Sequence, residues 1–280
     1  MTRRPSRPAR AVAAALALGA LLATGACSDG DDDTGASDTG ASPGASAGTS
    51  RAAAPAARAT TTAPAVLTQK GAETALITEA DIEDDWTQVK DAQDWHDSML
   101  IGSVDVDDFI SGKSDAADCQ KLLDGLYDEN LLGKPSGASA VTGFEMDDSR
   151  LYYQVASYGR SSLDSSMKWL GSLPDKCDRF TVTGSGGGDR VVEVIETDLP
   201  DKGDAHEALQ VTVEGESGGN PATLTLNVGV VRVGDNAVTV IAGGLDGGEE
   251  DSMETALEQG TDRLNDVLAG RSPAASPTGD

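Results

Sequence analysis

A chain of 280 residues with 47 acidic and 21 basic side chains carries a formal net charge of −26. That excess of carboxylates argues against nucleic acid as a partner, because neutralising phosphates needs clustered Lys and Arg; its plainest effects are solubility and distance from anionic membrane surfaces. With 38% hydrophobic and only 4% aromatic residues, the composition is too thin for one core spanning the whole chain, so part of it is expected to stay unpacked.

The amino terminus holds Arg3, Arg4, Arg7 and Arg10 with no acid among them, followed by an apolar run from Ala11 to Ala23. That run is too short to cross a bilayer as a helix and fits the apolar centre of a signal peptide. Arg3-Arg4 is a weak twin-arginine signal, interrupted at once by Pro5. Gly25 and Ala26 then precede Cys27, and this end resembles the lipobox of bacterial lipoproteins, with Thr24 where that family most often has Leu. The resemblance implies a lipoprotein signal peptide over residues 1–26, cleavage before Cys27, and a diacylglycerol on its thiol. A further fatty acyl chain such as palmitate is often added to the new amine. Two or more chains anchor stably, so the expected location is extracytoplasmic, on the outer face of the cell membrane. An ordinary secretory peptide and a retained signal anchor are the alternatives.

Residues 27–70 read as a tether. Up to about Pro64 it is Asp, Gly, Ala, Ser, Thr and Pro with no large apolar residue, so it cannot offset chain entropy by burial. A flexible coil of that length spans on the order of 30–40 Å root-mean-square. Gly44-Ala45-Ser46-Ala47-Gly48 formally matches G-x-S-x-G but lacks the strained strand-to-helix turn that exposes such a serine. Asp31 to Asp33 have no rigid frame to converge on a cation.

A globular composition covers residues 71–270, with a frayed tail over 271–280. Once Cys27 is lipidated, the remaining cysteines, Cys119 and Cys177, read as one disulfide in an oxidising compartment; two separate buried thiols are the alternative. The predicted elements follow in order. Leu76 to Ile82 is a short helical entry with Thr78 as cap, and Trp86 to Val89 a first strand. Residues 116–131 place Cys119, Leu122, Leu123, Leu126 and Tyr127 on one helical face, stopped by Gly133-Lys134-Pro135. Val141 to Met146 and Leu151 to Tyr158 form strands around a turn near Asp147-Asp148-Ser149. Residues 162–173 form a helix with Leu163, Met167, Leu170 and Leu173 inward, ended by Pro174. Strands over 179–183 and 190–197 follow, then alternation at Leu209, Val211 and Val213. Another strand covers Ala222 to Val230, and another Ala237 to Ala242, which predicts an antiparallel meander with one buried and one wetter face. The last helix runs from about Glu250 to Ala269 on a stripe of Met253, Leu257, Gly260, Leu264 and Val267. Clustered strands with flanking helices predict an α+β fold.

In this order the body resembles the extracellular sensor domain of PknH-type bacterial serine/threonine kinases, a domain that actinobacterial lipoproteins carry without the kinase. The resemblance rests on ALITEADIEDDW at 75–86, DCQKLLDGLY at 118–127, YYQVASY at 152–158, SSMKWLGSLPDKCDRFTVT at 165–183 and VVRVGDNAVTVIAGG at 230–244. It implies a twisted antiparallel sheet flanked by helices and a cleft for an external ligand. The kinase members typically carry a second disulfide, which this chain lacks. With no kinase or spanning helix after residue 270, signalling is expected to pass through a partner.

Trp86, Trp95, Tyr152 and Tyr158 are the candidate lining of a ligand cleft, with core packing as the alternative for each; Tyr152 and Tyr158 are expected on the strand face opposite Leu151, Tyr153 and Val155. No cofactor or metal is called for. His96 and His206 show no ligand spacing to the cysteines, and the acids at 105–108 and 246–251 match no calcium loop. The expected function is therefore binding or sensing of a small molecule, glycan or envelope partner without catalysis. Two alternatives stand beside it. Ser165-x-x-Lys168 opens the motif set of penicillin-recognising hydrolases, though the companion S-D-N and K-T-G motifs are absent. A structural or lipid-binding lipoprotein would instead need a closed apolar cavity.

Overall fold

The computed structural model describes residues 66–82, 85–90, 92, 95, 112–114, 116–184, 188–217, 219–245, 247 and 249–274. The segment expected as a signal peptide, Cys27, the expected tether up to residue 65, His96 and the acids at 105–108 lie outside them.

Residues ahead of 71 already pack into the body. Leu67 is already buried, Thr68 accepts from Gly71 N–H at 3.0 Å, and α1 spans Gln69–Thr74. The Gln69 amide donates to the Ser139 carbonyl at 2.8 Å and fastens this helix to the sheet edge. The helix foreseen over 76–82 is instead an extended stretch ending in a 3-10 turn, Glu79–Asp81. Thr78 does cap it: Asp81 accepts from both the backbone N–H and the hydroxyl of Thr78, at 2.7 and 2.8 Å.

Nine strands form one sheet in the order β1-β3-β4-β9-β8-β7-β6-β5-β2, every neighbouring pair antiparallel. They are β1 (Thr87–Val89), β2 (Lys113–Ser114), β3 (Ser139–Met146), β4 (Ser149–Ser157), β5 (Arg179–Thr183), β6 (Asp189–Glu196), β7 (Ala205–Ser217), β8 (Asn220–Val233) and β9 (Asn236–Gly244). The β3–β4 turn is tight because Asp147 takes a φ of 49°, which Asp tolerates better than most residues. The fold is thus α+β with one disulfide, as the periodicity indicates.

The faces of the sheet differ from the expected pattern of one buried and one wetter side. Every residue of β9 is buried, so the centre of the sheet has no wet side. On one face Tyr152, Val192, Val211, Leu226, Val228 and Ile241 meet α2 (Ala117–Tyr127), α3 (Arg160–Leu170) and α4 (Leu173–Lys176). On the other, Phe144, Leu151, Tyr153, Val231, Val238 and Val240 meet α1 and α5 (Glu250–Leu268). Alternation in one strand cannot reveal this, because both parities of residues 236–244 are apolar or small and each finds a cover. The wetter face survives from β5 across β7 to the start of β8, where Glu193, Glu214 and Thr223 are exposed and Ile195 is 44% exposed.

Two helix boundaries also differ from the sequence reading. α2 stops at Tyr127, ahead of Gly133, because Glu129 adopts a φ of 52° and Asn130 N–H bonds back to the Gly125 carbonyl at 3.0 Å. This is the 6→1 closure of a Schellman cap, with glutamate in the position glycine usually holds. Pro174 does not end α3, which closes at Gly171; it lies in the first turn of α4, where its missing N–H costs nothing.

Candidate functional site

The Cys119–Cys177 disulfide joins the first turn of α2 to the end of α4, with both residues 1% exposed and their Cα atoms 5.6 Å apart. Beside it Lys176 Nζ donates to Asp118 at 2.8 Å, and this bond holds the Asp118 carboxyl below its ordinary value. The covalent link and the ion pair fix the relation of α2 to the α3–α4 corner.

That corner frames a recess of about 360 Å³. Its wall is the outward side of α2, where Gln120, Lys121, Asp124 and Asp128 recur at helical spacing opposite the buried stripe of Leu122, Leu123 and Leu126. The chain from Asn130 to Gly133, with Ser166 from α3, supplies the other side. Ser166 Oγ donates to the Leu132 carbonyl at 3.0 Å, so α3 holds that wall in place. Gly125 allows it to come close, since a Cβ there would meet Leu131 Cα at 3.3 Å. The ammonium of Lys121 sits 3.7 Å from the centroid of Trp169, and Gln120 Nε2 donates to Asp124 at 2.6 Å. The polar groups are thus one cation, Lys121, against two carboxylates, Asp124 and Asp128, beside the mixed donors and acceptors of Gln120, Asn130 and Ser166. Such a lining suits an uncharged or zwitterionic polar ligand better than a strong anion or an apolar chain.

The four aromatics expected to line a cleft do not converge. Trp95, Tyr152 and Tyr158 belong to the core on the α2–α3 face, whereas Trp86 lies in the opposite core. All four are buried. Each is explained by what it holds together. Trp86 Nε1 donates to Ser252 Oγ at 3.2 Å and pins the entry segment to the start of α5. Trp95 packs where Gly143 leaves room, a Cβ there falling 2.8 Å from its ring, and the Arg150 guanidinium lies 4.6 Å from its centroid. Tyr158 OH donates to Gln154, which donates to Tyr152 OH, both at 3.2 Å. Burial pushes both phenols far above their ordinary value, with Glu129 and Tyr158 adding to the effect at Tyr152. They remain neutral and act as hydrogen-bonding groups. The foreseen separation of Tyr152 from Leu151, Tyr153 and Val155 does hold, since those three belong to the other core.

Ser165 and Lys168 are brought together only as neighbours on one exposed helix face. Ser165 Oγ donates to the Ser161 carbonyl of its own helix at 2.8 Å, and among the described residues no hydrogen bond joins it to Lys168. This gives a nucleophile neither a base nor a pocket. Among the described residues no group of three or more His, Cys, Asp or Glu side chains is placed to hold a metal ion. No helix of the described residues is long and apolar enough to cross a membrane.

The recess escaped the sequence reading. The polar spacing of Gln120, Lys121 and Asp124 is visible in the chain but identical to that of any solvated helix face. Only the left-handed turn at Glu129, which folds Asn130 to Gly133 back along α2, makes it one wall of a hollow.

No protein-family model matches the chain, and no curated protein sequence does. Among solved structures the chain is similar to the extracellular domain of PknH from Mycobacterium tuberculosis. The identity is 12% and the TM-score 0.42, over 75% of this chain and 99% of that one.

Proposed function

We propose that the protein is a lipoprotein anchored through Cys27 outside the cytoplasm, whose single domain binds or senses a small polar molecule, glycan or envelope partner without catalysis. The observation that carries this reading is the buried Cys119–Cys177 disulfide beside the α2–α3 recess. Structural disulfides persist in oxidising compartments, which fits an exported domain. The lipobox-like stretch before Cys27 supports the anchor. The fixed α2–α3–α4 corner supports a preformed site, because a ligand that meets an ordered hollow loses less to reorganisation.

Two measurements test the two halves. Protein made in its native host with an alkyne fatty acid is expected to carry label and to sediment with membranes, and Cys27→Ser to lose both. An unmodified amino-terminal Met with three titratable thiols would overturn the export reading. Native mass spectrometry of the wild-type protein is expected to retain a small ligand that Lys121→Glu and Ser166→Phe reduce at least tenfold. Retention unaffected by both substitutions would move the site away from the recess.

A further inference from the structure

Glu207 on β7 faces the same side of the sheet as α3 and α4, since its cross-strand partner Val230 belongs to that core. Its carboxylate abuts the C-terminal end of α3. A Cβ on Gly171, the cap residue, would fall 2.7 and 2.9 Å from its two oxygens. Gly171 has an ordinary helical φ of −63°, so its missing side chain serves space and not conformation. The contact is an awkward one for an anion, because a helix C-terminus carries partial negative charge.

The surrounding charges do not relieve it. Glu196, whose partner on β7 is Leu209, lies on the same face and adds a like charge. His206 is the one positive influence on the strand itself and lies on the opposite face, opposite Val231. On β8, Arg232 is engaged by Asp164 of α3 and by the Gly234 carbonyl at 2.8 Å. Lys168 of α3 is exposed, and on α4 Asp175 is a further acid while Lys176 bonds Asp118 at 2.8 Å. Among the described residues no ion pair reaches Glu207.

We propose that Glu207 is an acid-operated brace between the sheet and the end of α3, holding the α3–α4 junction when it takes up a proton and loosening it when it ionises. Protonation removes the charge that the helix end and Glu196 oppose, and turns the carboxyl into a donor beside the last turn of the helix. Because α3 also carries Ser166 to the Leu132 carbonyl, the state of Glu207 reaches the recess through one rigid helix. The direction follows from linkage. Burial first, then Glu196, raise the Glu207 carboxyl above its ordinary value. The protonated brace therefore contributes stability below the unfolded-state pKa and loses it as pH rises through the folded one.

The full-length protein tests this by carboxyl carbon NMR and by amide exchange across residues 170–177, from about pH 4 to about pH 8, a window that spans the glutamate titration. Glu207 is expected to titrate above the ordinary glutamate value, and the junction amides to lose protection severalfold as it ionises. Glu207→Gln should make that protection independent of pH and raise Tm by roughly 1–3 °C near neutrality. Glu196→Gln, which leaves the brace itself in place, should lower the Glu207 midpoint. A Glu207 carboxyl that titrates with the ordinary glutamates would overturn the proposal, and so would junction protection that keeps its full pH dependence in Glu207→Gln.

Discussion

The two faces of the sheet are covered by different means. On one, the short helices α2, α3 and α4 meet the strands at a corner tied by the Cys119–Cys177 link and the Lys176–Asp118 pair. On the other, α5, a helix of 19 residues, lies along β8, β9 and β4 beside the short α1, with no covalent help. It succeeds through close approach. A Cβ on Gly229 would fall 2.3 Å from Leu257 Cδ1, and one on Gly260 2.3 Å from Tyr153 Oη. Polar contacts then fix its register. The buried Asn227 amide, with its oxygen toward the helix, accepts from the N–H groups of Glu249 and Glu250 at 2.9 and 3.2 Å. Asp81 meets Arg263 at 3.3 Å. Three short helices have too little mutual contact to hold a corner, whereas one long helix needs only a groove shaped to receive it.

Breaking the cross-link should give the largest effect on this contrast. Cys119→Ala/Cys177→Ala releases a loop with a sequence separation of 58, worth about 4 kcal/mol in the chain-entropy model. Urea unfolding followed by amide exchange should show α2 and α4 losing more protection than α5, and equal losses on both faces would erase that contrast. Gly260→Ala attacks the other face and is expected to cost about 2 kcal/mol by overpacking. Adding Tyr153→Phe should not recover that loss, because the ring carbons stay at 2.6 and 2.8 Å and the bond from Tyr153 OH to the Ala75 carbonyl goes with the hydroxyl, while Gly260→Ala should leave disulfide reduction unchanged. The smallest effect concerns Asp118. Its carboxyl, lowered first by the hydrogen bond from Lys176, should titrate below the ordinary aspartate value in carbon NMR, and Lys176→Ala should return it toward that value. A group lowered in this way supports the fold above its unfolded-state pKa and loses that support as pH falls through the folded one. The two helices should therefore loosen together in acid only when Lys176 is present.

Much of the architecture is written locally. The stripe Leu163, Met167, Leu170 and Leu173 is buried as its spacing requires, and so are Met253, Leu257, Gly260 and Leu264, while Val267 at the end of that stripe is only half-buried. The strand pairs around Asp147-Asp148 and around Gly234-Asp235 fall where turn residues separate apolar runs. The failures have a common cause. Residues 76–82 contain apolar side chains at helical intervals, yet a capping box at Thr78 and burial of Ile77 and Ile82 hold them extended around a single turn. The aromatic cleft failed because an aromatic residue reads the same in sequence whether it lines a pocket or fills a core, and Trp86 reaches its core through Ser252, 166 residues further on.

The amino-acid sequence alone separates a basic start with an apolar run, and a stretch of Asp, Gly, Ala, Ser, Thr and Pro without large apolar residues, from an α+β body, because composition and periodicity act over a few residues at a time. Tertiary structure alone decides that the centre of the sheet is buried on both sides, that Trp86 and Tyr152 belong to different cores, and that Glu207 meets the end of α3. Each of those depends on which distant elements come to lie against one another, and no local pattern encodes the far partner.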